Sequence, residues 1–337
     1  MRKTRILASI AGIAAAGLMI AGCSGTDNGS SGSADSGDSI KLVLGHAGST
    51  TDPRQWASEE LAKRVSEATD GRVTIEVHSD STLGSWEEMI DGLQLGSTDI
   101  VIESILSLEA YTDLAAVETA PFLYESTEQF FGVWDGELGQ EIKDTISDAS
   151  GYSMLGNMFR GSRELTTKTP VTQLSDLKGM TIRTPSAQTM LDTWNALGAR
   201  AEALPFNEVY SAIESGVLDG QENPLDAIYF NSVHEVAPHI GLTKHMFANY
   251  HFLMWNDRLA ELPDDVREAI ETAAADIGKE YSQNTLDNEE QYTEDLKAEG
   301  AQFHEITDRQ AWIDATESVN ATLPDQVQAW IEQIRAM

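Results

Sequence analysis

Between residues 40 and 102, short apolar runs alternate with longer amphipathic stretches. Three of these runs have the length and β-branched content of strands: 40–44, 73–77 and 99–102. The two stretches between them predict helices; the first runs from Asp52-Pro53 to about Thr69, and the second ends near Leu95-Gly96. This β-α-β-α-β order predicts an α/β fold with a parallel sheet, in which ligands bind at the carboxyl ends of the strands.

The rest of the chain continues the mixture of strands and helices and ends in an amphipathic helical tail, 307–337. Further strands are predicted at 152–159, 180–183, 217–218 and 251–255. Helices are predicted at 186–197 with Ser186 as its cap, at 207–215 with Asn207 as its cap, and from 263 to about 298. No internal repeat is visible. The chain of 337 residues exceeds the usual size of one domain, so two lobes are expected.

The N-terminus has the pattern of a bacterial targeting signal. Basic residues at 2, 3 and 5 precede an apolar stretch, 6–20, that is shorter than a typical membrane span. Ile20-Ala21-Gly22-Cys23 then matches a lipobox, which predicts a lipoprotein signal peptide at 1–22 and lipidation of Cys23. Cys23 is the only cysteine, so it has no disulfide partner in the chain. The alternative is an ordinary secretory signal with an incidental cysteine.

A low-complexity tract of small and polar residues, 23–38, follows the lipobox and predicts a flexible tether. Two acyl chains on Cys23 supply stable membrane anchoring. The expected location is therefore outside the cell, anchored to the outer face of the cytoplasmic membrane. The full chain carries a net charge of −33, which argues against nucleic-acid binding. The same charge repels small anions, so an anion site needs local cations.

The stretch 178–224 contains the most informative motifs. Arg183 ends the apolar run of Lys178-Gly-Met-Thr-Ile-Arg183, and a polar segment, Asp219-Gly-Gln-Glu-Asn223, follows an amphipathic helix. A guanidinium is a planar fork that binds a carboxylate through two parallel hydrogen bonds. Together these motifs resemble the solute receptors of tripartite ATP-independent periplasmic (TRAP) transporters, the DctP-like family.

The resemblance implies roles for several residues. Arg183 would anchor the carboxylate of an organic acid, with Asn223 in the same pocket. Arg163, in Gly161-Ser162-Arg163, would supply a second cationic contact, with Arg160 as a competing candidate. Phe206 resembles an aromatic wall for the ligand, although core packing is an alternative. The resemblance implies binding for transport rather than catalysis, without a cofactor, and delivery to TRAP membrane permease subunits.

The resemblance also implies a two-lobed periplasmic-binding-protein-like α/β fold, with hinge strands and a long helix that spans both lobes. Lobe I is expected to comprise 39–160 and 249–288, and lobe II 161–248 and 289–337. No metal site is predicted. His234 and His239 are five residues apart with Pro238 between them, so they do not share a helix face as zinc ligands would.

Ligand identity is expected to depend on the facing lobe. His46 and Glu103 follow predicted strands and would add polar contacts, which favours a hydroxylated monocarboxylate such as a uronate or an aldonate. Leu106 stands where some sialic acid receptors carry a cation, so sialic acid is disfavoured. The alternative ligands are a C4-dicarboxylate and a keto acid. The alternative functions are a receptor of an ATP-driven importer and a secreted hydrolase that uses carboxylates.

Overall fold

The structure, a computed structural model, describes residues 39–337. The predicted signal peptide at 1–22, the lipidation site at Cys23 and the tether at 23–38 lie outside the described residues. Within 39–337, no helix is both long enough and apolar enough to traverse a bilayer.

Nine strands of residues 39–337 form a single sheet. Their bounds are β1 Ile40–Gly45, β2 Val73–His78, β3 Ile100–Glu103, β4 Tyr152–Thr167, β5 Thr181–Thr184, β6 Arg200–Ala203, β7 Gly220–Asn223, β8 His239–Trp255 and β9 Gln302–Glu305. Hydrogen-bonded neighbours follow the order β2-β1-β3-β8-β4-β7-β5-β6, and β9 pairs with β8. The two long strands, β4 and β8, run antiparallel through the centre of the sheet.

Thirteen α-helices and four 3-10 turns lie among the described residues. The helices before β5 are α1 Pro53–Ala68, α2 Trp86–Leu95, α3 Ala116–Thr119, α4 Thr127–Trp134 and α5 Glu137–Ser150. Those after β5 are α6 Gln188–Ala196, α7 Val209–Glu214, α8 Leu225–Phe230, α9 Val233–Val236, α10 Asn256–Glu261, α11 Asp264–Ala298, α12 Arg309–Asn320 and α13 Asp325–Arg335. The 3-10 turns are Ile105–Ala110, Asp113–Ala115, Leu174–Leu177 and Phe206–Glu208.

The fold contains an internal repeat that the sequence does not reveal. The first repeat, β1-α1-β2-α2-β3, and the second repeat, β5-α6-β6-α7-β7, have the same element order and the same strand neighbours. In the first repeat, Asp99 Oδ2 accepts a hydrogen bond from Val43 N at 2.8 Å; in the second, Asp219 Oδ2 accepts one from Thr181 N at 2.8 Å. The repeat is therefore evident in the structure and not in the sequence.

Three local predictions in the second repeat were wrong. Helix α6 begins at Gln188, and Ser186 does not cap it; the Ser186 hydroxyl instead donates to Glu87 Oε1 at 3.1 Å. Asn207 lies in a 3-10 turn and makes no cap. The strand predicted at 217–218 is displaced: Val217 is exposed in the turn that follows α7, and strand β7 begins at Gly220.

Two long-range features determine how the helices cover the sheet. Helix α11 packs against β4 and α1, with Ile270 and Ile277 in the core that they share, whereas Leu296 near its end joins the core of the second repeat. The predicted long helix is thus confirmed. Helix α13 packs through Trp330 into the core formed by α2, α4 and α5. The lobe boundaries, including the placement of 289–337 in lobe II, stay a prediction.

Candidate functional site

A cavity lies where the two repeats and the central strands meet. Five of the six predicted ligand-binding residues line it: Glu103, Arg163, Arg183, Phe206 and Asn223. The structure therefore brings together side chains that are up to 120 positions apart in the sequence.

The strand register explains why these side chains converge. Glu103 ends β3, four residues after Asp99. Asn223 ends β7, four residues after Asp219, the equivalent aspartate of the second repeat. Arg183 pairs with Gln221 across β5 and β7, as Gly45 pairs with Val101 across β1 and β3. The first repeat thus has a glycine where the second has the arginine. The cavity is built from repeated backbones with different side chains.

Arg183 is buried, with 2% of its surface exposed, and its guanidinium lies 5.7 Å from the centre of the Phe206 ring. Its Nε donates to the Leu204 carbonyl oxygen at 2.8 Å. No carboxylate of residues 39–337 forms an ion pair with it. Burial lowers the pKa of Arg183 to about 10, so it is still charged at neutral pH. Its terminal nitrogens can therefore receive a ligand carboxylate.

Arg163 differs from Arg183 because its charge is already matched. Its Nε and Nη2 donate to the two carboxylate oxygens of Glu222 at 2.5 and 2.8 Å, and both side chains are buried. Burial alone would raise the pKa of Glu222, but Arg163 overcomes this effect and the pKa falls to about 2. His245 Nε2 lies 3.1 Å from the same carboxylate. Arg163 lines the cavity, yet two of its nitrogens hold Glu222.

The sequence did not point to the cations beside Glu103. Arg54 forms a bidentate pair with Asp52, at 2.8 and 3.0 Å, and its Nη1 lies 3.8 Å from Glu103 Oε1. The guanidinium of Arg54 is 4.9 Å from the centre of the Tyr250 ring. Arg54 follows the loop after β1, so its place near the carboxyl end of a predicted strand was a signal that could have identified it.

Arg160, considered above only as a competitor of Arg163, also lines the cavity. Its guanidinium lies 3.9 Å from the centre of the Tyr250 ring and 3.9 Å from Asp226 Oδ1. Its buried Nε has no hydrogen-bond partner among the described residues. Buried polar groups are nearly always satisfied, so this donor lacks the partner that such a group normally has.

His46 is the predicted residue that the structure does not bring to the cavity. Its ring is fully buried, and Nε2 lies 3.1 Å from Gln55 Oε1 on α1, while the neighbouring Ala47 lines the cavity instead. Burial lowers the pKa of His46 to about 4. Its expected contact with a ligand oxygen was therefore wrong, because the side chain is directed toward α1.

The remaining lining side chains give the cavity its apolar surface. Leu106 and Trp86 lie on it, together with Phe206. Asn223 Nδ2 donates to Gln221 Oε1 at 2.6 Å, which leaves its carbonyl oxygen as an acceptor. Within 39–337, no group of three or more His, Cys, Asp or Glu side chains could hold a metal ion. The arrangement suits recognition of a small anion with further polar groups.

Comparison with known proteins identifies the family. Residues 44–326 match the profile of DctP, the bacterial extracellular solute-binding proteins of family 7. The chain belongs to this family. A solute-binding protein of Roseobacter denitrificans is 31% identical over 298 residues, covering 88% of the receptor and 90% of that relative. This family consists of TRAP solute receptors, as the motifs around Arg183 and Asn223 predicted.

Solved structures confirm the two-lobed periplasmic-binding-protein-like fold. The receptor superposes on a TRAP periplasmic solute-binding protein of Roseobacter denitrificans with bound L-galactonate, with a TM-score of 0.83 and 30% identity, over 88% of the receptor and 99% of that chain. A protein from Pseudomonas putida F1 with bound D-glucuronate gives a TM-score of 0.85 at 27% identity, over 88% and 97%. The C4-dicarboxylate-binding protein of Rhodobacter capsulatus is 28% identical over 276 residues, covering 80% of the receptor and 81% of that protein.

Proposed function

We propose that this receptor binds a sugar acid, such as a uronate or an aldonate, by its carboxylate and delivers it to a membrane permease without chemical turnover. The observation that carries the proposal is the buried guanidinium of Arg183, which lines the cavity without an ion-pair partner among residues 39–337. A buried unpaired charge is unfavourable, and a carboxylate held by two hydrogen bonds compensates it. The relatives with bound L-galactonate and D-glucuronate support the same class of ligand.

The other polar groups of the cavity support a hydroxylated ligand. Glu103 and the Asn223 carbonyl can accept hydrogen bonds from a ligand, and the guanidinium of Arg160 lines the same cavity. A polyol chain offers both donors and acceptors, so it satisfies these groups together. The faces of Phe206 and Trp86 cover the C–H surfaces of such a chain. In the proposed complex, Arg183 binds the carboxylate, Arg163 assists it, and the groups around Glu103 bind the hydroxyls.

A C4-dicarboxylate is the second candidate. It is favoured by the similarity to the Rhodobacter capsulatus protein, which binds C4-dicarboxylates. Such a ligand would also use Arg183 for one carboxylate. It lacks most of the hydroxyls that Glu103 and Asn223 would bind.

The location and the partner complete the proposal. A lipid on Cys23 and a tether at 23–38 would hold the receptor at the outer face of the cytoplasmic membrane. The tether would keep the closed, ligand-bound receptor within reach of TRAP permease subunits. The lipobox and the extracytoplasmic location of the family support this placement.

A thermal-shift screen of organic acids tests the ligand class. Ligands that bind only the folded state stabilise it by mass action, and a concentration of 100 Kd contributes about 2.7 kcal/mol, or roughly 5 °C or more in Tm. We expect L-galactonate or D-glucuronate to give such a shift. The uncharged sugar galactose serves as the control and should give none. An equal shift with galactose, or a shift with succinate alone, would contradict the proposed ligand class.

A further inference from the structure

Eight of the ionisable groups around the cavity fall into two clusters of opposite net charge. The arginine cluster contains two cations, Arg163 and Arg183, and one carboxylate, Glu222. The glutamate cluster also contains two cations but three carboxylates; its members are Asp52, Arg54, Glu103, Arg160 and Asp226. With all groups ionised, the arginine cluster has one excess positive charge and the glutamate cluster one excess negative charge.

Within the glutamate cluster, Glu103 is the carboxylate that lines the cavity. Its Oε2 accepts from Ser104 N at 3.1 Å, and its Oε1 lies 3.8 Å from Arg54 Nη1, which is beyond a normal hydrogen bond. Arg54 is already paired with Asp52 through two shorter contacts. Glu103 is therefore weakly compensated and keeps acceptor capacity toward the cavity.

This charge distribution matches a ligand with one carboxylate and a neutral, hydrogen-donating far end. A hydroxyl donates to Glu103, whereas a second carboxylate can only accept hydrogen bonds and repels it. In a buried site, repulsion between like charges is screened less than in water. Burial raises the pKa of Glu103, with Arg54 opposing the rise. A nearby anion would favour proton uptake by Glu103, which relieves the repulsion; the free-energy cost of that uptake at neutral pH then takes the place of the repulsion in weakening the binding of a dianion.

We propose that Glu103 makes the receptor selective for sugar acids with a single carboxylate and excludes aldarates, which carry a second carboxylate at the other end of the same carbon chain. This inference rests on the proposed function, because it assumes that Arg183 holds the first carboxylate. Glu103 is thus a specificity-determining residue, and its negative charge, rather than its size, performs the selection.

The test compares matched ligand pairs, galactonate with galactarate and glucuronate with glucarate, by isothermal titration calorimetry at neutral pH. We expect the wild-type receptor to bind at least one monoacid about 100-fold more tightly than its aldarate. In Glu103→Gln, which keeps the size and one acceptor oxygen, we expect this ratio to fall to about 10 or less, chiefly through a gain in aldarate affinity. Glu202→Gln removes an exposed carboxylate and should leave the ratio unchanged.

If Glu103 has only a structural role, Glu103→Gln will weaken the binding of both acids of a pair equally, and the ratio of their affinities will stay unchanged. That result would overturn the proposal. Wild-type affinities that are equal within both pairs would also overturn it. If the wild-type receptor binds none of the four acids, the proposed function itself is wrong, and the selectivity proposal falls with it. Retained monoacid binding by Glu103→Gln shows that the variant is folded.

Discussion

Replacing Arg183 with alanine is expected to weaken the binding of a sugar acid by about 100-fold or more. Removing one partner of a buried, hydrogen-bonded charge pair costs about 2–5 kcal/mol, and each 1.4 kcal/mol is tenfold in Kd. Arg183 is the cavity guanidinium whose charge is least compensated by carboxylates of residues 39–337. Isothermal titration calorimetry of wild type and variant measures the loss directly.

Two further variants sharpen the test of Arg183. Arg183→Lys keeps the charge but loses the planar fork, so its affinity should lie between those of wild type and Arg183→Ala. Arg200→Ala removes an arginine that is 75% exposed on the neighbouring strand β6, and it should bind as wild type does. If Arg183→Ala binds the acid as tightly as Arg200→Ala does, the carboxylate is held elsewhere in the cavity.

Glu222→Gln is expected to lower the free energy of unfolding by about 3–5 kcal/mol in the absence of ligand. The substitution leaves the guanidinium of Arg163 buried without its counter-charge, and breaking a buried pair from one side has a cost of this size. Urea unfolding followed by circular dichroism measures it. Glu202→Gln is the matched control, because its pair with Arg200 is exposed and contributes under about 1 kcal/mol.

The pH dependence of the same comparison gives an independent check. The pKa of Glu222 is lowered from 4.5 to about 2 in the folded state by Arg163, against the effect of burial. A group with a lowered folded pKa stabilises the protein above its unfolded pKa and loses this contribution as the pH falls toward the folded value. The gap between wild type and Glu222→Gln should therefore be complete above about pH 4.5 and shrink toward pH 2. A gap that is constant with pH would show that the ion pair is not its cause.

The sequence predicted those parts of the site that depend on local pattern. Arg183 and Asn223 lie at the ends of short runs that can be recognised as strands. Because the carboxyl ends of parallel strands meet at one edge of a sheet, the convergence of these two side chains could be inferred. The α/β class followed from the alternation of short runs and amphipathic stretches. The long helix was also predictable, since Pro263-Asp264-Asp265 marks its start and no proline interrupts it before Ala298.

The sequence could not predict what depends on contacts between distant segments. His46 is directed away from the cavity because Gln55 offers it a partner, and Arg163 is engaged by Glu222, which lies 59 residues away. Arg160 stacks on Tyr250 from a different strand. The structural repeat is not visible in the sequence because equivalent positions, such as Gly45 and Arg183, carry unrelated side chains on similar backbones.

The most direct test of the account is a calorimetric titration of the purified receptor with L-galactonate and with D-glucuronate, with succinate as the comparison. The account predicts that at least one of the two sugar acids binds with one-to-one stoichiometry and at least tenfold more tightly than succinate. It also predicts that the acid is recovered unchanged. Binding of succinate without binding of either sugar acid, or conversion of the acid into a product, would contradict it.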